Sequence, residues 1–244
     1  MIFNYVCVKD KKMNVIVTGA SSGVGYELTK KLIADERITK VLGIARREER
    51  LKELSDYANS INRKGVFVPL AEDVCTISLD AITAHVNRVD ALVNNAGLLI
   101  SKPFMDLTDE DFQAIFKVNV FAPARLVQML KPMMGGTKST HVVNIGSMGG
   151  FQGASKFPGL SAYSSSKSAI AGLSECLAEE FKEDNIKVNC LAFGAVQTEM
   201  LEKAFPGFQA PLSSFQMADF VLDFTLNGHV YYNGKVLPVS SSTP

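Results

Sequence analysis

Tyr163 and Lys167, in the run AYSSSK, stand four residues apart in a stretch of helical spacing, so both side chains leave one face and reach the same volume. A phenol titrates near pH 10. An ammonium beside it favours the phenolate by about one to three units, enough to bring the group into the range where it gives and takes a proton. Ser147, in NIGSMGG, offers a hydroxyl that can hydrogen-bond a carbonyl or alcohol oxygen. Asn119 lies within a helical stretch, an indifferent place for asparagine by propensity, which leaves room for a polar role. Tyr-x-x-x-Lys also occurs as an ordinary solvated pair, and serine is common in Gly-rich turns, so these residues gain meaning only from what surrounds them.

A second kind of chemistry resides in VIVTGASSGVG, residues 15–25. An apolar run ends at Thr18, a turn with three glycines follows, and Val24, Leu28 and Leu32 then recur at helical spacing. Where such a loop meets a helix, unpaired amide N–H groups and the positive end of the helix dipole face outward together, which suits a phosphate and so a nucleotide. Gly19, Gly23 and Gly25 fit a sharp turn, close approach of backbone to ligand and close packing of helix on strand. An ordinary Gly-rich turn has the same composition, and the pattern needs support from other stations.

The elements that must position these groups alternate. Strands are predicted at about 41–45, 66–68, 90–93, 141–145, 186–191 and 235–239, beside the one ending at Thr18. Helices are predicted after the glycine loop, along Leu51, Leu54 and Ala58, weakly over 77–86, along Phe112, Ile115, Phe116 and Val120, over 161–182, and over 215–226 with a stop at Asn227 and Gly228. Thr108 caps the fourth helix ahead of acidic residues, and Pro123 is expected to kink it. Strands that read as continuous apolar runs, alternating with helices, imply an α/β doubly wound parallel sheet of about seven strands, covered on both faces, as a single domain over 13–244. Ligands of such sheets bind beyond the carboxyl ends of the strands.

Equal numbers of basic and acidic residues (25 each) leave no global field to steer the chain toward nucleic acid or an anionic membrane, which favours small-molecule partners. Cys7, Cys75, Cys176 and Cys190 are far apart and lack metal spacing; they read as buried reduced thiols of a cytoplasmic protein. His85, His141 and His229 are isolated along the chain, and no metal is expected. The opening MIFNYVCV is too short to span a membrane and carries its charges on the wrong side for a signal peptide; residues 1–12 read as an added or disordered leader.

With the loop at Thr18–Gly25, NNAG at Asn94–Gly97, Asn119, Ser147, Tyr163 and Lys167 in this order, the chain resembles the classical short-chain dehydrogenase/reductases from Met13 to about Thr198. The resemblance implies a Rossmann-like fold and NAD(P)-dependent reduction of a carbonyl, or oxidation of the alcohol. It makes Tyr163 the general acid/base, assigns Lys167 to lowering its pKa and holding the nicotinamide ribose, Ser147 to polarising the carbonyl, and Asn119 to anchoring a water relay. Ser21, Ser22, Val24, Asp73, Val74, Asn95, Ala96, Gly97, Val196 and Thr198 become cofactor contacts.

At the end of the second strand, where an acidic residue would repel a 2'-phosphate, this chain has Ala45 and then Arg46 and Arg47. A guanidinium matches a phosphate, so NADP(H) is expected over NAD(H), with Arg46 the principal contact. The family usually has Pro-Gly where this chain has Phe193 and Gly194. Residues 199–214 correspond to a short, apolar substrate lid, in which Pro206 and Pro211 are expected to break regular structure, though a simple connector reads the same. Family helices around Asn119 and over 161–182 commonly pair between subunits, which implies a homodimer or homotetramer. The alternative from another class is an NADP(H)-binding redox sensor without turnover.

Overall fold

The computed structural model describes residues 12–241, so the leader expected at the start lies, apart from Lys12, outside the described residues. Seven parallel strands form one sheet in the order β3-β2-β1-β4-β5-β6-β9: β1 (Met13–Thr18), β2 (Ile38–Ala45), β3 (Phe67–Ala71), β4 (Ala91–Asn94), β5 (Thr140–Ser147), β6 (Ile186–Phe193) and β9 (Val236–Val239). The order reverses between β1 and β4, and the loops that leave those two strands flank the crevice that such a reversal opens.

Each predicted strand is present, because a strand buried on both faces is a run of apolar side chains. Alternate residues of those runs feed two cores. Val15, Val17 and Val41 pack with α1 (Gly23–Ala34), α2 (Glu48–Ser60) and α8 (Ser214–Asn227) on one face. Ile16, Leu42 and Val142 pack on the other against Ile82 of α3 (Leu79–Thr83), Leu126 and Leu130 of α5 (Ala122–Leu130) and Ala178 of α6 (Ser161–Glu180). No helix among the described residues is long and apolar enough to cross a membrane.

Several local readings change. Thr108 caps α4 (Asp109–Phe116) through a reciprocal capping box with Asp111. The kink expected at Pro123 takes the form of a π-turn over Lys117–Phe121, one residue before α5. Proline supplies no N–H, so the carbonyls of Val118 and Asn119 have no donor from it, and the wider turn absorbs the mismatch. Gly228 has φ −60°, so it is no left-handed cap; a Cβ there would stand 2.8 Å from the Phe224 ring, and close packing explains the glycine. The segment after β6 is more than a connector: β7 (Val196–Gln197) pairs with β8 (Leu212–Ser213), and α7 (Glu199–Ala204) lies between them.

Among the described cysteines only Cys190 is buried; Cys75 is half-buried and Cys176 exposed, against the expectation of buried thiols. Cys176 sits on an outward position of α6, which strand-like or helical apolarity around it did not reveal. His141 and His229, distant in sequence, bring their rings within 5.6 Å.

Candidate active site

The loops after β1 and β4 are tied through one side chain. Thr18 Oγ1 accepts from the amides of Asn95 and Ala96, both at 3.0 Å, while Asn95 Nδ2 donates to the Thr18 carbonyl at 3.0 Å. Gly19 adopts φ +70° and a Cβ there would stand 2.9 Å from Ala96 Cα; a Cβ on Gly25 would overlap Asn95 Nδ2 and the Gly19 carbonyl. Both glycines are therefore required by close approach. Gly23, at φ +52°, packs against Thr198. Ser22 makes no side-chain capping bond to α1, and no acidic residue enters the first turn of that helix. The amides and the dipole there suit an external anion. Ser21 and Val24 are buried beside this turn.

Asn119, buried in the π-turn, holds the loop after β4 from the other side. Its Oδ1 accepts from Leu98 N at 2.8 Å, and its Nδ2 donates to the Leu98 carbonyl and to Ser166 Oγ, both at 2.9 Å. Ser166 in turn donates to the Tyr163 carbonyl at 2.7 Å, so Asn119 fixes the first turns of α6 as well. Beneath lies a buried polar chain, Asn94 Nδ2 to Asn144 Oδ1 and Asn144 Nδ2 to Ser174 Oγ, each 2.8 Å.

Ser147 ends β5, accepts from Gly149 N at 3.1 Å and shares a hydrogen bond with the Tyr163 hydroxyl. Lys167, one turn along α6, donates from Nζ to the Ile145 carbonyl at 2.7 Å and stands 5.7 Å from the centre of the Tyr163 ring. Helix and strand meet closely because Gly150 lies against the α6 backbone: a Cβ there would stand 2.5 Å from the Lys167 carbonyl carbon. A Cβ built on Gly97 would lie 3.6 Å from Asn119 Oδ1, 3.7 Å from Met200 Cε and 3.8 Å from Lys167 Nζ. Ser147, Tyr163, Lys167 and Asn119, scattered over 49 residues of chain, thus converge beyond the carboxyl ends of β4 and β5.

The electrostatics correct one expectation. Burial pushes the Tyr163 phenol up, opposed by its bond with Ser147, whereas the spacing predicted a phenol drawn down by its neighbour. Burial also pulls Lys167 down to about 8. Desolvation dominates both groups, and the Lys167 ammonium is bonded to a backbone carbonyl. Cys190 on β6 sits beside this lysine and is pushed up to about 11 by the same burial.

At the other end of the crevice Arg46 is exposed at the end of β2, and its charge helps to hold the Asp73 carboxyl down, after the larger effect of the Cys75 amide at 2.8 Å. Val74 presents its carbonyl to Arg125 at 3.1 Å. Arg47 folds inward over the glycine loop onto Ser21 and reaches Glu199. Val196 is buried in β7, and Thr198 caps α7 by accepting from Leu201 N at 3.2 Å. Phe193 closes β6 as a buried side chain. Sequence reasoning missed Met200, Ser166 and Glu199. Met200 and Glu199 meet residues far along the chain, Ser166 bonds both distant Asn119 and the nearby Tyr163 carbonyl, and no local signal distinguishes them.

The model of the family described as short chain dehydrogenase matches residues 13–207. The chain is 34% identical over 193 residues to L-2,3-butanediol dehydrogenase of Corynebacterium glutamicum, covering 77% of this chain and 73% of that protein. It is 33% identical over 186 residues to 3-oxoacyl-(acyl-carrier-protein) reductase FabG of Salmonella typhimurium, covering 76% and 74%. A chain from Escherichia coli CFT073 solved in complex with NADPH superposes with a TM-score of 0.80 at 27% identity, covering 93% and 95%. The protein belongs to the short chain dehydrogenase family, whose members are oxidoreductases that bind a nicotinamide cofactor.

Proposed function

We propose that the protein is an NADP(H)-dependent reductase of a carbonyl on a small or medium organic substrate, or the corresponding alcohol dehydrogenase. The observation that carries this reading is the grouping of Ser147, Tyr163 and Lys167, with Lys167 beside Gly97 and Asn119 tying the loop after β4 to α6. The uncapped start of α1 and the glycine approaches fit a diphosphate, and the Lys167 ammonium lies within reach of Gly97. A nicotinamide bound there would supply the hydride for the carbonyl carbon. Ser147 hydrogen-bonds the carbonyl oxygen, and Tyr163 gives it the proton that completes the alcohol. Lys167 holds the ribose, and its charge, once turned toward the phenol, offsets the desolvation that raises Tyr163. Asn119 anchors a water path, since Pro123 leaves the carbonyl of its turn without that donor.

Arg46 at the end of β2 selects the phosphorylated cofactor, with Arg47 beside it; Asp73, Val74, Asn95, Ala96, Val196 and Thr198 line the remaining cofactor surface. NADPH in the Escherichia coli relative supports this choice. The protein works in the cytoplasm, as a homodimer or homotetramer; the assembly is supported by exposed Phe121 and by the open face of α6 at Gly172. The test is to incubate the protein with NADPH deuterated at the transferable position and a mixture of aldehydes and ketones, then to read the products by mass spectrometry. One deuterium on a carbinol carbon is expected. NADPH binding without any label transfer overturns the reading in favour of a sensor.

A further inference from the structure

Arg47 and Glu199 are 152 residues apart, yet they meet over the glycine loop. Arg47 Nη1 lies 3.1 Å and 3.3 Å from the two Glu199 carboxylate oxygens, Nη2 donates to the Ser21 carbonyl at 2.9 Å, and Nε to Ser21 Oγ at 3.3 Å. The same clasp takes in Gly23, where a Cβ would stand 3.1 Å from Thr198 Cγ2. The ends of β1 and β2 and the start of α7 are thereby joined through one guanidinium.

We propose that Glu199 is a counter-charge that Arg47 exchanges for the 2'-phosphate of the cofactor, making Glu199 a determinant of cofactor choice. The inference rests on the NADP(H) reading above. The two residues that follow β2, Arg46 and Arg47, stand where this architecture meets the adenosine ribose. A guanidinium that already engages two carboxylate oxygens has the donor geometry for two phosphate oxygens. Ser21 keeps Arg47 in position through its other two nitrogens, so exchange of Glu199 requires no rebuilding of the arginine. A phosphate carries more charge than the carboxylate and supplants it; an unphosphorylated ribose offers Arg47 only neutral hydroxyls, which do not displace a carboxylate, and leaves α7 tied to the loop.

The experiment is calorimetric binding of adenosine 2',5'-bisphosphate and of 5'-AMP to the full chain, to Glu199→Gln, to Arg47→Ala, to Arg46→Ala and to the Glu199→Gln/Arg47→Ala double variant. With both partners of the ion pair partly exposed, Glu199→Gln is expected to tighten the bisphosphate by about two- to fivefold, to leave 5'-AMP unchanged, and to have no effect in the Arg47→Ala background. If Glu199→Gln fails to tighten the bisphosphate, tightens both probes alike, or acts equally without Arg47, the exchange is refuted. In that case weakened bisphosphate binding in Arg46→Ala leaves the NADP(H) reading standing. Should neither arginine variant change the preference for bisphosphate over 5'-AMP, that reading falls, and the exchange falls with it.

Discussion

His141 gives a stability prediction with a worked magnitude. It is the second residue of β5, the strand that ends at Ser147, and is fully enclosed. Its Nδ1 lies 3.1 Å from the Thr225 carbonyl and its Nε2 3.0 Å from Asn189 Nδ2, which fixes a neutral ring donating at Nδ1 and accepting at Nε2. His229 and Phe224 complete its surroundings. Burial pulls it down to about 3 from the ordinary 6.5. The folded pKa is thus below the unfolded one. As pH falls through 6.5 the unfolded chain takes up a proton that the folded chain refuses, and stability is lost progressively until the pH approaches 3. Between about pH 7 and pH 5 this one group costs roughly 2 kcal/mol.

Replacing it by asparagine keeps a donor for Thr225 but removes the titration, and gives up the acceptor for Asn189 at a cost of about 1–3 kcal/mol that is independent of pH. Equilibrium urea unfolding at several pH values should show the wild type losing roughly 2 kcal/mol more than His141→Asn over that range. Parallel stability curves for the two proteins would refute the argument.

Three further outcomes follow from the geometry. Gly25→Ala forces a methyl into Asn95 Nδ2 and the Gly19 carbonyl, so it should cost about 1–3 kcal/mol in urea unfolding and weaken NADPH in a fluorescence titration; unchanged values would contradict the packing. Asn119→Ala strands both the amide and the carbonyl of Leu98, with an expected loss of about 1–3 kcal/mol of stability together with most turnover, and a neutral variant would count against its structural part. Iodoacetamide should label Cys176 in the native protein and Cys190 only after unfolding, as read by peptide mass spectrometry; equal native labelling would contradict the burial of Cys190.

The sheet was legible because parallel strands covered on both faces leave apolar runs such as VIV at 15–17 and HVVNI at 141–145, and the capping box at Thr108 is written within four residues. The glycine loop was legible because its glycines are closely spaced between a strand and a helix, although the close approaches that forbid a side chain at Gly19 and Gly25 come from Asn95 and Ala96. What escaped depends on residues distant in sequence. The outward face of Cys176 follows from where α6 settles, and the small two-stranded sheet needs β7 to find β8 across 14 residues. The direction of the Tyr163 shift was misread because spacing reveals that Lys167 is near but not that its ammonium is bonded to Ile145, nor how far burial penalises the phenolate.

The most direct test of the account is Tyr163→Phe, assayed for NADPH oxidation against aldehydes and ketones beside the wild type, with NADPH binding measured for both. The hydroxyl is the proton donor in this account, so the variant should bind NADPH as the wild type does and lose turnover by about 10²–10⁴-fold. Turnover retained in a variant that still binds NADPH would contradict it.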